Sequence, residues 1–397
     1  MANSQDIVCD IQENFTSEEE TYLNVYDAGD RFAIEVVYPC IMALGIITNG
    51  AFCIVLSRVK QMRNVTNLYL VNLALADMTF LIVAVSEKLA RIIASPVQLD
   101  KTLYGLAGCI LIPFIVNCTY FASIFIVTLV SIEKFYAICR PLQHRRISSF
   151  ERTVKLLIGA WMLSILCSCT FIPGRANVVT ICVQWPADYA DIDLPSVVTL
   201  CTSINVWNWF QHVSNFLQSV PFFVAAAANT VMYVKILKTM HRRVGAQDDL
   251  TEMNNKRVQV RNQVAAMLVA NGLVFFLCQM LFQCVSVALA FRHLRTPPIL
   301  TVAQIDKALL VARILTYLNS AVNAIIYNIV SSRYRSAFKE TFCWRKARRV
   351  HPRPRVNNVD NNQDLLNPES GQSDSRNRTS VADNSRNRSL ETENTLC

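Results

Sequence analysis

Residues 68–92 read LYLVNLALADMTFLIVAVSEKLARI, a run of mostly apolar residues long enough to cross a bilayer as one helix. A membrane-crossing helix needs about 20 such residues, because the hydrocarbon offers no water to satisfy backbone polar groups. The chain contains six more runs of this kind, which predicts seven spans. In chain order the spans are 33–57, 68–92, 105–139, 152–173, 207–237, 262–291 and 302–328.

The composition agrees with a membrane protein, since 52% of the chain is hydrophobic and only 17% is charged. A soluble globular chain carries about 25% charged residues. We therefore predict an all-α membrane protein, a seven-transmembrane helix bundle with a short amphipathic eighth helix. The predicted parts are an acidic tail (1–32), the bundle (33–330), a helix on the membrane surface with Tyr334, Ala337, Phe338 and Phe342 on its lipid face (331–343), and a disordered tail (344–397).

The charges are distributed by side of the membrane. The net charge of +9 would suggest a nucleic-acid partner in a soluble protein, but here the bases concentrate in alternate connecting segments, and the 1–32 tail is acidic. Basic loops stay in the cytosol. We therefore expect a multi-pass plasma-membrane protein with an extracellular N-terminus, a cytoplasmic C-terminus and no nucleic-acid partner.

Four of the fourteen cysteines fall on the predicted outer side, where disulfides form. Cys109 lies at the outer end of the third span and Cys182 in the loop 174–206, so we predict a Cys109–Cys182 bridge that holds this loop over the bundle. The partners of Cys9 and Cys201 cannot be read from the sequence.

Several modification sites follow from this topology. Asn14 begins an outer-side glycosylation sequon, and Cys343, directly after the surface helix, is a palmitoylation candidate or a structural free thiol. The tail repeats a pattern of arginines ahead of hydroxyls, which basic-directed kinases select. The predicted phosphorylation sites are Thr379, Ser380 and Ser389, and the alternative is a solvated tail with chance Arg-Asn pairs.

Asp77 lies in the middle of the second span, and a buried ionisable group is a functional hypothesis by default. Ser123 on the third span and Asn319 and Asn323 on the seventh provide further polar groups at membrane depth. If these faces converge, oxygen ligands and one negative charge would suit a sodium ion, the only cofactor we expect. The alternative is a hydrogen-bond cluster that only holds the bundle together.

A second polar set lies nearer the outer side and is the candidate ligand pocket. Arg313 lies inside the seventh span, so either Glu87 or a ligand carbonyl or carboxylate must pair with its guanidinium. The outer half of the third span carries no carboxylate to serve as counter-ion for an amine ligand. The candidate pocket residues are Glu87, Asn117, Tyr120, Phe282, Gln283, Arg313 and Tyr317.

Other classes of membrane protein fit less well. A transporter usually shows an internal repeat of spans, and a channel needs a filter loop or a ring of charge. The sequence shows neither pattern. Its five histidines are scattered over loops and span ends, so we expect no metal site and no enzyme activity.

The polar positions also form a family pattern over residues 33–343. Four sets carry it: Asn49-Gly50 with Leu73-Ala74-Leu75-Ala76-Asp77; Cys109 followed by Glu133-Lys134-Phe135 and Pro141; Trp161; and Asn319-Ser320-Ala321-Val322-Asn323-Ala324-Ile325-Ile326-Tyr327 with Tyr334. In these sets the chain resembles the class A (rhodopsin-like) G-protein-coupled receptors. The stretch 66–77 looks most like the peptide-hormone and neuropeptide branch.

The resemblance implies a cell-surface receptor for an extracellular, neuropeptide-like peptide. Its implied partners are a heterotrimeric G protein, arrestin, receptor kinases and membrane lipid. Receptors of this branch have an arginine where Arg313 falls, and it engages the peptide. The residues implied in coupling and activation are Glu133, Lys134, Phe135, Gln279, Asn323 and Tyr327.

Three activation motifs depart from the family pattern. Lys134 replaces the arginine of the Asp/Glu-Arg-Tyr triplet, Gln279 and Leu281 replace the tryptophan and proline of Cys-Trp-x-Pro, and Ala324 replaces the proline of Asn-Pro-x-x-Tyr. Lysine keeps the charge but loses the planar fork of arginine. Two readings stay open: a receptor that signals through a variant mechanism, or one that binds ligand but couples poorly to G protein, as a decoy, scavenger or arrestin-biased receptor.

Overall fold

The seven predicted spans are helices in the structure, a computed structural model, which describes residues 9–14, 24–98, 100–187, 193–202, 210–244, 252–291 and 301–342. Within these ranges seven helices are long and apolar enough to cross a membrane, so the predicted bundle is confirmed. In chain order the helices are α1 (Ala28–Arg58), α2 (Val65–Ala94), α3 (Gly105–Cys139), the short α4 (Pro141–Ile147), α5 (Phe150–Cys169), α6 (Phe210–Val244), α7 (Glu252–Phe291), α8 (Val302–Val330) and the short α9 (Ser332–Phe342).

Local capping sequences fix where three of the helices begin. The Asn64 side chain accepts a hydrogen bond from the backbone N–H of Asn67 at the start of α2. Ser149 does the same for Arg152 at the start of α5. At the start of α8, Thr301 and Gln304 form a reciprocal capping box. Each cap satisfies backbone donors that the first turn would otherwise leave without partners.

Helix α1 packs closely against α2 and α8. A Cβ on Gly45 would lie 2.2 Å from the Leu81 side chain and 3.4 Å from Ala321, so a glycine is needed where the three helices meet. The Asn49 side chain donates to the backbone carbonyl of Ser320 over 2.8 Å. These contacts fix α1 against α8 through small residues and buried hydrogen bonds.

A small sheet, absent from the sequence prediction, lies at the end of the bundle that carries Cys109, here called the disulfide end. Its strands are β1 (Ile11–Asn14), β2 (Asn177–Gln184) and β3 (Val197–Thr202). The strands β2 and β3 form an antiparallel hairpin, and β1 adds to β2 in parallel. The segment that precedes α1 is therefore part of the cover over this end. The opposite end, which carries Lys134, is called the basic end.

The predicted Cys109–Cys182 bridge is wrong. Cys109 on α3 bonds to Cys201 on β3, and Cys182 on β2 bonds to Cys9, with 5.7 Å between the Cα atoms of each pair. The register of the hairpin explains why Cys109 bonds to Cys201 and not to Cys182. Cys201 lies opposite Val178, four residues from Cys182 and so about 13 Å along the strand. A disulfide joins Cα atoms about 4–7 Å apart, so the two strand cysteines cannot both reach Cys109.

Helix α9 packs part of its apolar face into the bundle, whereas we predicted that the whole face lies on the membrane; Phe342 of that face is exposed. Tyr334 is buried and stacks on Phe52, and Ala337 is buried as well. The Tyr334 hydroxyl also donates to the Asn67 side chain, so the helix is fixed by polar as well as apolar contacts. Contacts divide the chain into a unit of Met1–Thr341 and a second unit of Phe342–Cys397, of which the structure describes only Phe342.

Candidate functional site

A cavity of about 280 Å³ lies among the helices at the disulfide end. Helices α2, α3, α6, α7 and α8 supply its walls, and the segments next to α3 and β2 contribute Lys101 and Arg175. Its lining consists of Phe80, Ala84, Glu87, Lys88, Lys101, Ile112, Pro113, Val116, Asn117, Tyr120, Phe171, Gly174, Arg175, Gln218, Gln279, Phe282, Arg313, Thr316 and Tyr317.

Six of the seven predicted pocket residues line this cavity. They come from four helices and are Glu87, Asn117, Tyr120, Phe282, Arg313 and Tyr317. Gln283 does not, because its side chain is fully buried behind the wall. There its amide donates to the Tyr120 hydroxyl over 2.6 Å, so Gln283 positions a lining residue.

Amide side chains take part in two separate hydrogen-bonded pairs on the walls of the cavity. Gln218 on α6 donates to the Asn117 side chain over 2.8 Å, and Thr316 on α8 donates to Gln279 on α7 over 3.0 Å. Gln279, predicted as an activation residue, therefore also lines the cavity. Gln218 and Thr316 were missed because single polar residues in apolar spans are common.

Glu87 is the centre of a charged cluster at the mouth of the cavity. Its carboxylate lies 2.9 Å from Lys88, 2.9 Å from Lys101 and 3.4 Å from Arg91. Burial lowers the pKa of Lys101 to about 8, and the neighbouring carboxylate opposes that shift. Lys101 is therefore still cationic at neutral pH.

The first of the two alternatives for Arg313, an ion pair with Glu87, does not form. Within the described ranges, no carboxylate lies within the 4 Å of an ion pair from the Arg313 guanidinium. Of the two alternatives that the sequence left open, a ligand group is the one that the geometry favours. Lys101 and Arg175 were missed because long-range folding of the loops, invisible to a helical pattern, brings them here.

Asp77 is buried at the middle of the bundle, with two of its three predicted partners in contact. Ser123 donates to one carboxylate oxygen over 3.3 Å, and Asn323 donates to the other. Asn319 is also buried, but its side-chain atoms have no hydrogen-bond partner in the part of the chain that the structure describes. The cluster offers one negative charge and one amide with free bonding capacity.

Three of the predicted coupling residues, Glu133, Lys134 and Phe135, lie at the basic end. Lys134 is 2.7 Å from the carboxylate of Glu133 and also donates to Thr66, while His144 lies 3.3 Å from the same carboxylate. Phe135 packs under the ammonium of Lys235, with 5.9 Å from nitrogen to ring centroid. Beside them lies a cleft of about 490 Å³, lined by Asn64, Val65, Thr66, Asn67, Glu133, Lys134, Ala137, Ile138, Ser148, Val264, Arg333 and Tyr334.

Tyr327, the last of the predicted coupling residues, is buried between this cleft and Asp77. Its ring packs against Phe52 and Tyr334, with centroids 5.2 and 5.8 Å away. Asn14 is exposed at the end of β1, as an acceptor of a glycan must be. The remaining predicted modification sites, Cys343, Thr379, Ser380 and Ser389, lie outside the described residues.

The seven spanning helices of the described chain, the cavity at one end and the Glu133–Lys134 ion pair at the other are the arrangement of a membrane receptor. Residues 48–327 match the family model described as 7 transmembrane receptor (rhodopsin family). The chain belongs to this family, and it is a multi-pass membrane protein of the receptor class.

Individual relatives show which receptors of this family the chain resembles. The chain is 29% identical to the thyrotropin-releasing hormone receptor of Bos taurus, over 76% of this chain and 75% of the relative. It is 27% identical to neuromedin-U receptor 2 of Mus musculus, over 82% and 79%. It is 28% identical to the neuromedin U receptor homolog nmur-2 of Caenorhabditis elegans, over 84% and 86%.

Proposed function

We propose that this chain is a cell-surface receptor for an extracellular peptide and that ligand binding is passed to a heterotrimeric G protein. The observation that carries the proposal is the cavity of about 280 Å³ with Arg313 in its wall and no carboxylate beside that guanidinium in the described residues. A cavity of this size accepts the end of a peptide, and the remainder of the ligand would lie across β2 and β3.

The charge and the disulfides support an orientation with the disulfide end outside the cell. Two disulfides at one end require an oxidising compartment. At the other end α4 closes with His144, Arg145 and Arg146, and positive charge stays in the cytosol. The likeness to receptors named for thyrotropin-releasing hormone and neuromedin U supports a peptide as the ligand class.

The effect of ligand binding would be transmitted through the buried polar residues around Asp77, which lie between the two ends of the bundle. Ligand would favour one of two arrangements of the bundle, and the favoured one would free Lys134 from Glu133 to meet the G protein. Arrestin and receptor kinases would act on the tail that follows α9, and membrane lipid would surround the exposed apolar side chains of the spans.

The proposal is tested by screening neuropeptides against cells that express the chain, with G-protein dissociation and arrestin recruitment read in parallel. We expect at least one peptide to drive both signals. Arg313→Gln should strongly lower the potency of that peptide. Lys307→Gln, which removes a charge from the same helix outside the cavity lining, should leave its potency within about threefold. A full library without any response in either assay would contradict the proposal.

The alternative of a decoy or arrestin-biased receptor is favoured by one observation. Lys134 makes single contacts to Glu133 and Thr66, and it lacks the planar fork with which an arginine makes paired hydrogen bonds. If this lysine limits coupling, Lys134→Arg should raise G-protein dissociation severalfold at unchanged surface level. Equal G-protein dissociation from the two forms would show that Lys134 does not limit coupling. Arrestin recruitment without G-protein dissociation would support the decoy or arrestin-biased receptor.

We also propose that Asp77 binds a sodium ion together with Ser123, Asn319 and Asn323. The support is a buried carboxylate that accepts hydrogen bonds from Ser123, Ser320 and Asn323, and the neighbouring amide of Asn319, which has no partner in the described chain. Sodium at ten times its dissociation constant should add about 1.4 kcal/mol of stability. The melting temperature of the purified receptor should therefore be higher in sodium chloride than in equimolar choline chloride, and Asp77→Asn should remove that difference.

A further inference from the structure

The cavity at the disulfide end is electrically unbalanced. Four of its lining residues have basic side chains, namely Lys88, Lys101, Arg175 and Arg313, and Glu87 is the one acid among the lining residues described. The formal charge of the lining is therefore four minus one, or +3. An excess of this size in a partly enclosed site raises the local concentration of anions and repels cations.

The single acid is already engaged. Glu87 lies within 3.4 Å of Lys88, Lys101 and Arg91, and its side chain is 10% exposed. Neither Arg175 nor Arg313 has a carboxylate within 4 Å among the residues that the structure describes. Two guanidiniums therefore face the cavity without a counter-ion from the walls, and each carries donors suited to a carboxylate.

We propose that the ligand carries a carboxylate into this cavity and that Arg313 is the residue that binds it. The inference rests on the proposed peptide receptor and narrows its ligand class. A carboxylate would relieve the uncompensated charge of the guanidinium and could accept two parallel hydrogen bonds from it. A carbonyl or carboxamide offers the same oxygen without the charge and would leave the lining at +3.

The aromatic part of the lining defines what accompanies the carboxylate. Phe80, Phe171, Phe282 and Tyr317 all contribute to the wall. Phe80 and Tyr317 pack against each other, with ring centroids 5.8 Å apart. The group that enters the cavity therefore combines an apolar or aromatic side chain with a nearby carboxylate. That carboxylate comes either from a free C-terminus or from an acidic side chain.

Three small probes of nearly equal size separate these possibilities. N-acetyl-asparaginyl-phenylalanine carries a terminal carboxylate, N-acetyl-aspartyl-phenylalanine amide carries a side-chain carboxylate, and N-acetyl-asparaginyl-phenylalanine amide carries none. Each is titrated into the purified full-length receptor, and binding is read from the shift in melting temperature. We expect at least one acid to bind on the order of 100-fold more tightly than the neutral amide, the effect of a desolvated charge pair.

Variants attribute the preference to Arg313. Arg313→Gln should remove it, Arg313→Lys should retain part of it, and Lys307→Gln should leave it intact. Arg313→Lys keeps the charge and so guards against a mere folding defect in Arg313→Gln. Equal affinities for acid and amide, no shift from either acid, or a preference that survives in Arg313→Gln would overturn the proposal.

Failure of this proposal can be distinguished from failure of the proposed receptor function. Binding of the probes can be measured without any signal from the receptor. If the acids bind through Arg313 but no peptide activates G protein or recruits arrestin, only the proposed receptor function is contradicted. Suppose instead that a peptide signals equally well as its C-terminal acid and as its amide, and also with its acidic side chains changed to amides. Only the proposal of a ligand carboxylate would then be contradicted.

Discussion

Loss of the Cys109–Cys201 disulfide should destabilise the receptor by about 2–5 kcal/mol, the range for a native disulfide. Cys109 on α3 is 2% exposed, and its bond closes a separation of 92 residues. Without it, β3 loses its covalent cross-link to α3. We expect Cys109→Ser and Cys201→Ser each to lower the melting temperature and the surface level of an epitope-tagged receptor by similar amounts.

Double substitutions test the pairing itself. The double variant Cys109→Ser/Cys201→Ser should be no worse than either single variant, because the second change removes a thiol that has already lost its partner. Cys9→Ser and Cys182→Ser should be non-additive in the same way. Cys109→Ser with Cys182→Ser should instead show the sum of two losses. If that third combination were non-additive, the pairing described here would be incorrect.

Substitution of Gly272 on α7 should produce a comparably large loss. A Cβ at this position would lie 1.8 Å from the hydroxyl oxygen of Tyr233, which is hydrogen-bonded to Ser131 over 2.8 Å. Tyr233 is 3% exposed and cannot simply move into solvent. Gly272→Ala should therefore cost about 3 kcal/mol, the upper range for overpacking in a core, and lower the melting temperature accordingly.

Two further variants separate the clash from the general effect of alanine in a helix. Tyr233→Leu removes the hydroxyl oxygen and the ring carbons that lie 1.8, 2.6 and 3.2 Å from the new Cβ, so Gly272→Ala should cost much less in that background. Gly50→Ala on α1 meets nothing within 4 Å and should be neutral or stabilise by up to about 1 kcal/mol. Equal losses from Gly50→Ala and Gly272→Ala would rule out the steric explanation.

The spans could be predicted from the sequence because the membrane imposes a requirement that each helix meets on its own. The third span, predicted as 105–139, coincides with α3. The first run, predicted to begin at residue 33, begins at Ala28, because Asp27 caps a polar first turn that a hydropathy pattern leaves out. Arg313 could be predicted for the same reason, since a charged residue at membrane depth is conspicuous without any partner.

The cover of the bundle could not be predicted, because its structure depends on residues far apart in the chain. The strand β1 has only four residues and no alternation of apolar and polar side chains. It forms because β2, more than 160 residues later, offers an edge and Cys182 offers a thiol. Lys101 enters the site in the same way, because its backbone N–H donates to the carbonyl of Thr199 in β3.

The Cys9–Cys182 bond has a consequence for the integrity of the chain. It joins β1 to β2 independently of the peptide backbone that leads from Asn14 to α1. A protease that cut this backbone once after Asn14 would leave the strand covalently attached to the receptor. The amino-terminal fragment would separate on a denaturing gel only after reduction, and an epitope placed ahead of Cys9 would still mark nicked receptor on intact cells.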